Sequence, residues 1–541
     1  MALKRISNIA LLLLISVSSA MGVPARRGAI IRTAPDGTEK AVYLHGNAFS
    51  HFMTDKDGNW LDETRLEPMS EEAKAARIER NAKRSQMRRV QQAQRVGVKP
   101  NLAPHGLLIL VNFQNKAFVT PYDTMYNMLN GTYFTRNYEY TYKYQDALGR
   151  TKTKTEKVSS VGSAWRYFFD QSYGQYSPKF DIMGPFTLSK EYSYYGKNDD
   201  ANAGKMIKEA CEMANAAGAD FTLYDNDNDG KVDFVYVIYA GYGEADGGPE
   251  ETVWPHNFSL EYYPGLSCTV DGKKVANYAC SNEISYFSNL YNGIGTFCHE
   301  FSHVLGLPDL YETNDDPHFL DLHTLFDWDI LDYGPYNNDG NTPPAYSAYE
   351  RFYMGWLTPR VLKDPQSVWL SDLNWGNGDA ILLCEGDQHN LTGYNPDPVV
   401  FYMLESRRLE GWDAYLPGPG MLITKVSYDA RDWTRNEVNN AADKMGVNIL
   451  EARPNASAYA RATDTYPAGA TEWTDFAGHE VTEIEFNNEY GYATFSYRGA
   501  PKEQGMERVN SEELIVKKIL RDGQLIIVRG DQEYDILGRS L

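Results

Sequence analysis

Residues 106–113, Gly-Leu-Leu-Ile-Leu-Val-Asn-Phe, form an almost unbroken apolar run of strand length, and residues 234–240, Phe-Val-Tyr-Val-Ile-Tyr-Ala, form a second. Runs of this kind, without polar alternation, predict strands covered on both faces. Residues 163–169 and 203–217 instead place apolar side chains at helical spacing. Strands alternating with helices predict an α/β layer arrangement from about residue 105 onward. Ahead of it, residues 28–60 alternate short apolar stretches with the dipeptides Asp36-Gly37 and Asp57-Gly58, which predicts small hairpins. Residues 70–95 are charged and helix-forming, with almost no apolar face. From residue 370 to 499 Gly, Pro and Asn separate short alternating stretches, so the second half reads as β-rich. No internal repeat is apparent.

Composition narrows the class. With 42% hydrophobic and 23% charged residues over 541 positions, the chain is neither disordered nor a membrane bundle. A net charge of −21 repels a phosphate backbone, which argues against nucleic acid as a partner. Lys4 and Arg5 precede an apolar run at 9–17, and Ser18 and Ala20 are small, a pattern that predicts a signal peptide cleaved after Ala20. That run is too short to span a bilayer, and no later segment reaches about 18 apolar residues, so no transmembrane anchor is expected. The protein should be secreted or held at the cell surface. Its five cysteines are not a disulfide scaffold; Cys268 and Cys280 either staple a hairpin or stay as buried thiols. The charge is also divided unevenly. Residues 26–99 hold 15 basic and 10 acidic side chains, whereas residues 100–541 hold 35 and 63. The basic segment reads either as a solvated spacer or as a pro-segment removed at one of its Lys/Arg sites.

The chemistry concentrates in Gly295-Thr-Phe-Cys-His299-Glu300-Phe-Ser-His303-Val-Leu-Gly306-Leu-Pro-Asp309. On a helix His299 and His303 lie one turn apart on one face, where both imidazoles reach one ion and Glu300 reaches its water. Gly306 accepts the left-handed turn that brings Asp309 back as a third ligand, with Glu312 as the rival. Three protein ligands leave a fourth position open for catalysis, the arrangement expected of Zn2+. A second pattern, Asp225-Asn-Asp227-Asn-Asp229-Gly230-Lys-Val-Asp233, places carboxylates as in the opening of a Ca2+ loop, with Asp225, Asp227, Asp229 and Asp233 as candidate ligands. Its twelfth position is Tyr236, so a true EF-hand is excluded.

The zinc motif, followed by Trp328-Asp-Ile-Leu331-Asp-Tyr333-Gly334, resembles the M6 peptidases, the immune inhibitor A group. The resemblance continues through Thr342-Pro-Pro-Ala-Tyr-Ser-Ala-Tyr-Glu350, Gly355-Trp-Leu-Thr-Pro359 and Gly411-Trp-Asp-Ala-Tyr-Leu-Pro-Gly418. It implies an α+β/α/β fold, namely a metzincin-like zincin catalytic domain (a twisted sheet with an active-site helix) followed by a β-rich domain. The boundaries read as a signal peptide at 1–20, a pro-segment at 21–99, the catalytic domain at 100–360, the β-rich domain at 361–500 and a C-terminal sorting tail at 505–541. Leu331 stands where that family's turn carries methionine, an apolar residue of similar volume. The resemblance implies that Tyr333, two residues on, either binds zinc or steadies the transition state, where its phenol could hydrogen-bond the oxyanion. The implied function is a zinc endopeptidase with Glu300 as general base, acting on protein or peptide substrates. The alternative is a surface or matrix-binding protein with a structural metal. The resemblance also implies a zymogen with its own pro-segment as inhibitor. That segment has no cysteine to block the metal, which leaves a carboxylate, His45 or His51. The tail is similar to the end of sorting domains of the type IX secretion machinery.

Overall fold

The computed structural model describes residues 21–92, 105–145, 150–313, 324–441, 443–454, 459–501 and three short strands after 515. The expected signal peptide lies outside the described residues. Strands β1 (Ala29–Thr33), β2 (Glu39–Asn47) and β3 (Ser50–Thr54) form an antiparallel sheet; Asp36-Gly37 lies in the β1–β2 turn as expected, whereas Ala48 and Phe49 make the β2–β3 turn and Asp57-Gly58 lies beyond β3, where Thr54 bridges Trp60. Helix α1 (Glu71–Gln92) follows. It docks through polar groups: Arg77 and Asn81 are buried, and both donate to the His51 carbonyl. That explains why the sequence shows a helix without an apolar face.

Strands β4 (His105–Asn112), β5 (Lys179–Thr187), β6 (Val235–Tyr239), β7 (His256–Ser259) and β8 (Asn277–Asn282) form the central sheet, in the order β7-β8-β6-β4-β5. All neighbours run parallel except the edge strand β7. Alternate side chains of the two apolar runs serve opposite faces. Leu107, Ile109, Val111, Val235 and Val237 pack on helix α2 (Ala203–Ala216) through Met206, Ile207 and Ala210. Leu108, Leu110, Tyr236 and Ile238 face helix α3 (Gly295–Val304) through Phe297 and Phe301. Each such aliphatic side chain is worth about 1.5–3 kcal/mol when fully buried.

The structure is thus mixed α/β, rich in sheet and with few helices. One compact unit comprises residues up to 363 together with 370–471 and 485–493. It therefore continues across the boundary expected at residue 360. Its second sheet includes Ala380–Cys384, Val400–Arg407 and Gly420–Ser427, whose apolar residues join the same core as α3. The other unit, 364–369, 472–484 and 494–541, includes a terminal antiparallel meander of Val516–Arg521, Gln524–Arg529 and Gln532–Tyr534. All five cysteines are free and buried, which resolves the alternative left open for Cys268 and Cys280. Among the described residues no helix is long and apolar enough to cross a membrane.

Residues 21–82 are not a solvated spacer. Val23, Ile30, Val42, Leu44 and Met53 share an apolar cluster with Ala245 and Trp254 of the core.

Candidate metal centre and cleft

Helix α3 has two working faces. Phe297 and Phe301 pack on the aromatic rings of Tyr236, Phe180 and Phe234, with centroids 4.6–5.2 Å apart. This fixes the helix on the sheet and turns His299 and His303 to the other side. Gly306, at φ +101°, makes the left-handed turn that only glycine accepts readily, and the chain returns to place Asp309 opposite both histidines.

The three donors converge. The Nε2 atoms of His299 and His303 lie 3.0 Å apart, and Asp309 Oδ1 lies 3.3 and 3.1 Å from them. Each ring is held at its other nitrogen: His299 Nδ1 lies 2.6 Å from the Ile330 carbonyl and His303 Nδ1 2.9 Å from the Leu307 carbonyl. A carbonyl can only accept, so both Nδ1 atoms carry the hydrogen and both Nε2 atoms present lone pairs. Burial, with His303 adding to it, depresses the His299 pKa and keeps that ring neutral. Two imidazole lone pairs and a carboxylate oxygen then face one another inside the protein, which is tolerable only around a cation. The residues present therefore fit a metal ion. Burial works to raise the Asp309 pKa, and positive charge beside it at the two Nε2 atoms, whether a proton on His303 or His299 or a bound cation, holds it well below the usual carboxylate range. Its other oxygen accepts from the Asn436 side-chain amide, and Asn436 Oδ1 accepts from the Asp309 backbone N–H at 2.6 Å. Glu312, the rival third ligand, is not in the converging set.

The turn at residue 331 works through its backbone. Ile330 offers the carbonyl that orients His299, and the Leu331 carbonyl accepts from Leu310 N–H. Leucine, fully buried here, supplies these as well as methionine would.

Glu300 is fully buried, and burial raises its pKa well above the usual value. Its Oε1 accepts from the backbone N–H of Val23 at 2.9 Å, so residues 21–27 run into the cleft. Met21 pairs antiparallel with Asn257 of edge strand β7. The Gly22 carbonyl accepts from the Tyr311 hydroxyl, the Val23 carbonyl from Trp254 Nε1 at 2.9 Å and the Pro24 carbonyl from the Tyr336 hydroxyl at 2.6 Å. The Gly22–Val23 peptide bond is thereby gripped by Tyr311 at its oxygen and by Glu300 at its nitrogen.

The other expected site residues fall as follows. Tyr333 is buried, with the Arg27 guanidinium 3.6 Å from its ring centroid; the hydroxyl on the Gly22 carbonyl belongs to Tyr311 instead. Asp225, Asp227 and Asp229 come together, but Asp225 Oδ2 is 2.5 Å from Lys273 Nζ. Asp233 is not in that converging group; it accepts from the backbone and side chain of Asn226. Neither histidine expected to cover the metal does so: His45 bonds Thr54, and His51 lies 3.0 Å from Glu244 and stacks on Trp254. Two residues were missed. Tyr311 follows Asp309 by two positions, a visible proximity, whereas nothing local marks Asn436, 127 residues further on.

A helix bearing two histidines and a glutamate, a returning aspartate, and an edge strand paired with extended chain together make a site that can hold a metal ion beside a peptide bond. Residues 98–355, a little under half of the chain, match the Immune inhibitor A peptidase M6 catalytic domain. It is 27% identical over 239 residues to the Pre-pro-metalloprotease PrtV of two Vibrio cholerae serotype O1 strains, which covers 39% of this chain and 26% of the relative. It is 23% identical over 228 residues to Immune inhibitor A of Bacillus thuringiensis subsp. alesti, covering 36% and 32%. The chain thus spans about a quarter to a third of the length of these relatives.

Proposed function

We propose that this protein is an exported zinc endopeptidase held latent by its own N-terminal segment. The observation that carries this reading is the meeting of His299, His303 and Asp309 lone pairs beside Glu300, with a peptide bond of extended chain between Glu300 and Tyr311. His299, His303 and Asp309 would hold zinc, which when bound polarises a peptide carbonyl and acidifies water. Glu300 Oε1 takes a proton from the attacking water as its oxygen bonds the carbonyl carbon, and gives it to the departing amine nitrogen as the C–N bond breaks. The Val23 N–H occupies the place of that amine. The Tyr311 hydroxyl donates to the carbonyl oxygen as its charge grows. Tyr333 would serve as the floor on which Arg27 rests, rather than as that donor.

Protein substrates would lie as Met21 to Ala25 lie, antiparallel to β7, and residues 21–82 would exclude them until removed. Secretion past a cleaved signal, and retention by the C-terminal tail, complete the reading. A structural metal in a matrix-binding protein is disfavoured by the buried Glu300, whose second oxygen has no hydrogen-bond partner.

Zinc content and chelator-sensitive casein hydrolysis test the proposal. Glu300→Ala should keep the zinc and lose at least about a thousandfold in kcat. A variant that is folded, zinc-loaded and fully active would overturn it. Tyr311→Phe should lower kcat by about 10²-fold with little change in KM, while Tyr333→Phe changes kcat far less.

A further inference from the structure

Beyond the gripped peptide bond, the same strand of chain carries a side chain into a pocket of its own. Arg26, the fourth residue after the Gly22–Val23 bond, donates to Asp246 at 2.8 Å and to Asp339 at 3.1 Å, and its guanidinium lies 3.8 Å from the centroid of the Phe287 ring. Its backbone N–H donates to the Ala245 carbonyl at 2.8 Å. The carboxylates are themselves held: Tyr286 N–H donates to Asp246, and the hydroxyls of Tyr138 and Ser285 donate to Asp339. Every wall residue comes from the sequence after 105, so the pocket does not depend on the segment that fills it. Arg136 stands nearby, engaged by the Tyr291 carbonyl and stacked over the Tyr291 ring. Withdrawing Arg26 would leave two buried carboxylates facing a single cation, an arrangement that calls for another positive side chain.

We propose that the Asp246–Asp339–Phe287 pocket is a specificity site for peptides, and that it selects arginine, and lysine more weakly, at the fourth position after the bond to be cut. This rests on the peptidase reading for its position numbering. Three features support it. The chain in the cleft runs antiparallel to the edge strand with its peptide bond between Glu300 and Tyr311, so it marks the path of a substrate. The pocket offers two acceptors and an aromatic face, which suit a planar guanidinium better than an ammonium. Gly22 is also fitted to its place: a Cβ there would lie 2.8 Å from the Pro255 carbonyl oxygen.

That last contact supplies the means of testing. The full chain carrying Gly22→Trp and Arg26→Ala cannot seat its own segment, and the probe is a fluorescent acetyl-Met-Gly-Val-Pro-Ala-Arg-Arg peptide, with EDTA present so that binding is read without turnover. The first arginine of the peptide should improve affinity at least about tenfold over glutamine, with lysine between, and Asp339→Asn in the protein should remove the difference. Equal affinity for the arginine and glutamine peptides, or binding of neither, would overturn the proposal. Because the main comparison alters only the peptide, a folding defect in Asp339→Asn does not affect it. Casein hydrolysis by the zinc-loaded protein is a separate reading. Its absence would sink the peptidase and leave a guanidinium pocket, whereas its presence without arginine preference would leave the peptidase and remove the pocket.

Discussion

Two acidic clusters look alike as motifs and differ in what stands between their donors. At His299, His303 and Asp309 both imidazoles spend their N–H groups on backbone carbonyls, so three lone-pair atoms meet within 3.0–3.3 Å. In the loop at Asp225, Asp227 and Asp229 the meeting is already compensated: Lys273 reaches Asp225, and backbone N–H groups of Asp229, Gly230 and Lys231 cap the carboxylates. A third group, His51, Glu63 and Glu244, is likewise compensated, with Arg77 2.9 Å from Glu63. Convergence alone therefore does not mark a metal centre. Convergence without a compensating hydrogen or cation does.

The comparison breaks most decisively at the first cluster. His303→Ala should abolish stoichiometric zinc, since two ligands cannot replace three. Asn436→Ala should weaken zinc affinity about 10–100-fold, because it removes both clamps on Asp309 while leaving every ligand in place. Zinc competition against a chromogenic chelator measures both. Unchanged affinity in Asn436→Ala would mean that the carboxylate is oriented by something other than the amide.

How far the sequence foretold this follows from range. The strands, α3, and the spacing of His299, His303 and Asp309 were legible because each depends on neighbours within a turn or a short apolar run. The charge contrast between the basic N-terminal segment and the acidic remainder was legible too, and it reappears as Arg26 on Asp246 and Asp339, Arg77 on Glu250 and Arg80 on Asp199. What escaped is held by contacts between remote segments. Tyr311 meets Gly22 across 289 positions, and Asn436 meets Asp309 across 127, so neither leaves a periodic trace. The docking of α1 escaped for another reason, since its face is polar and looks solvated until the His51 carbonyl is seen beneath it.

The third cluster lets pH sharpen the comparison. Burial raises the Glu63 pKa to about 7, with Glu244 adding to it and Arg77 and His51 opposing; burial likewise raises Glu244 to about 8, with Asp199 and Glu250 adding and Arg77 and Arg32 opposing. Both lie above the ordinary value of 4.5, so the docked segment binds more protons than a released one. Docking is then favoured most below about pH 4.5 and weakens as pH rises through 7 and 8. Hydrogen exchange at residues 39–54, corrected for intrinsic rates, should report opening that grows roughly tenfold or more from pH 6 to 9. Glu244→Gln should flatten the rise. Opening that falls with pH would contradict the assignment.

The smallest expected effect turns the second cluster into a likeness of the first. The ammonium of Lys273 holds the Asp225 carboxyl below the usual range, through a contact that a calcium ion would have to replace. Calcium must therefore compete with a cation already tethered in place, and at millimolar concentration it should raise the Tm of the wild-type chain by only about 1 °C. Lys273→Ala removes that competitor and leaves a buried carboxylate beside Asp227 and Asp229. Its Tm without calcium should fall, and calcium should restore about 2–4 °C of the loss. A variant as indifferent to calcium as the wild type would show that compensation is not what separates the two clusters. The cause would then be geometry, since the loop's carboxylates are pinned by their own backbone N–H groups and cannot turn inward together.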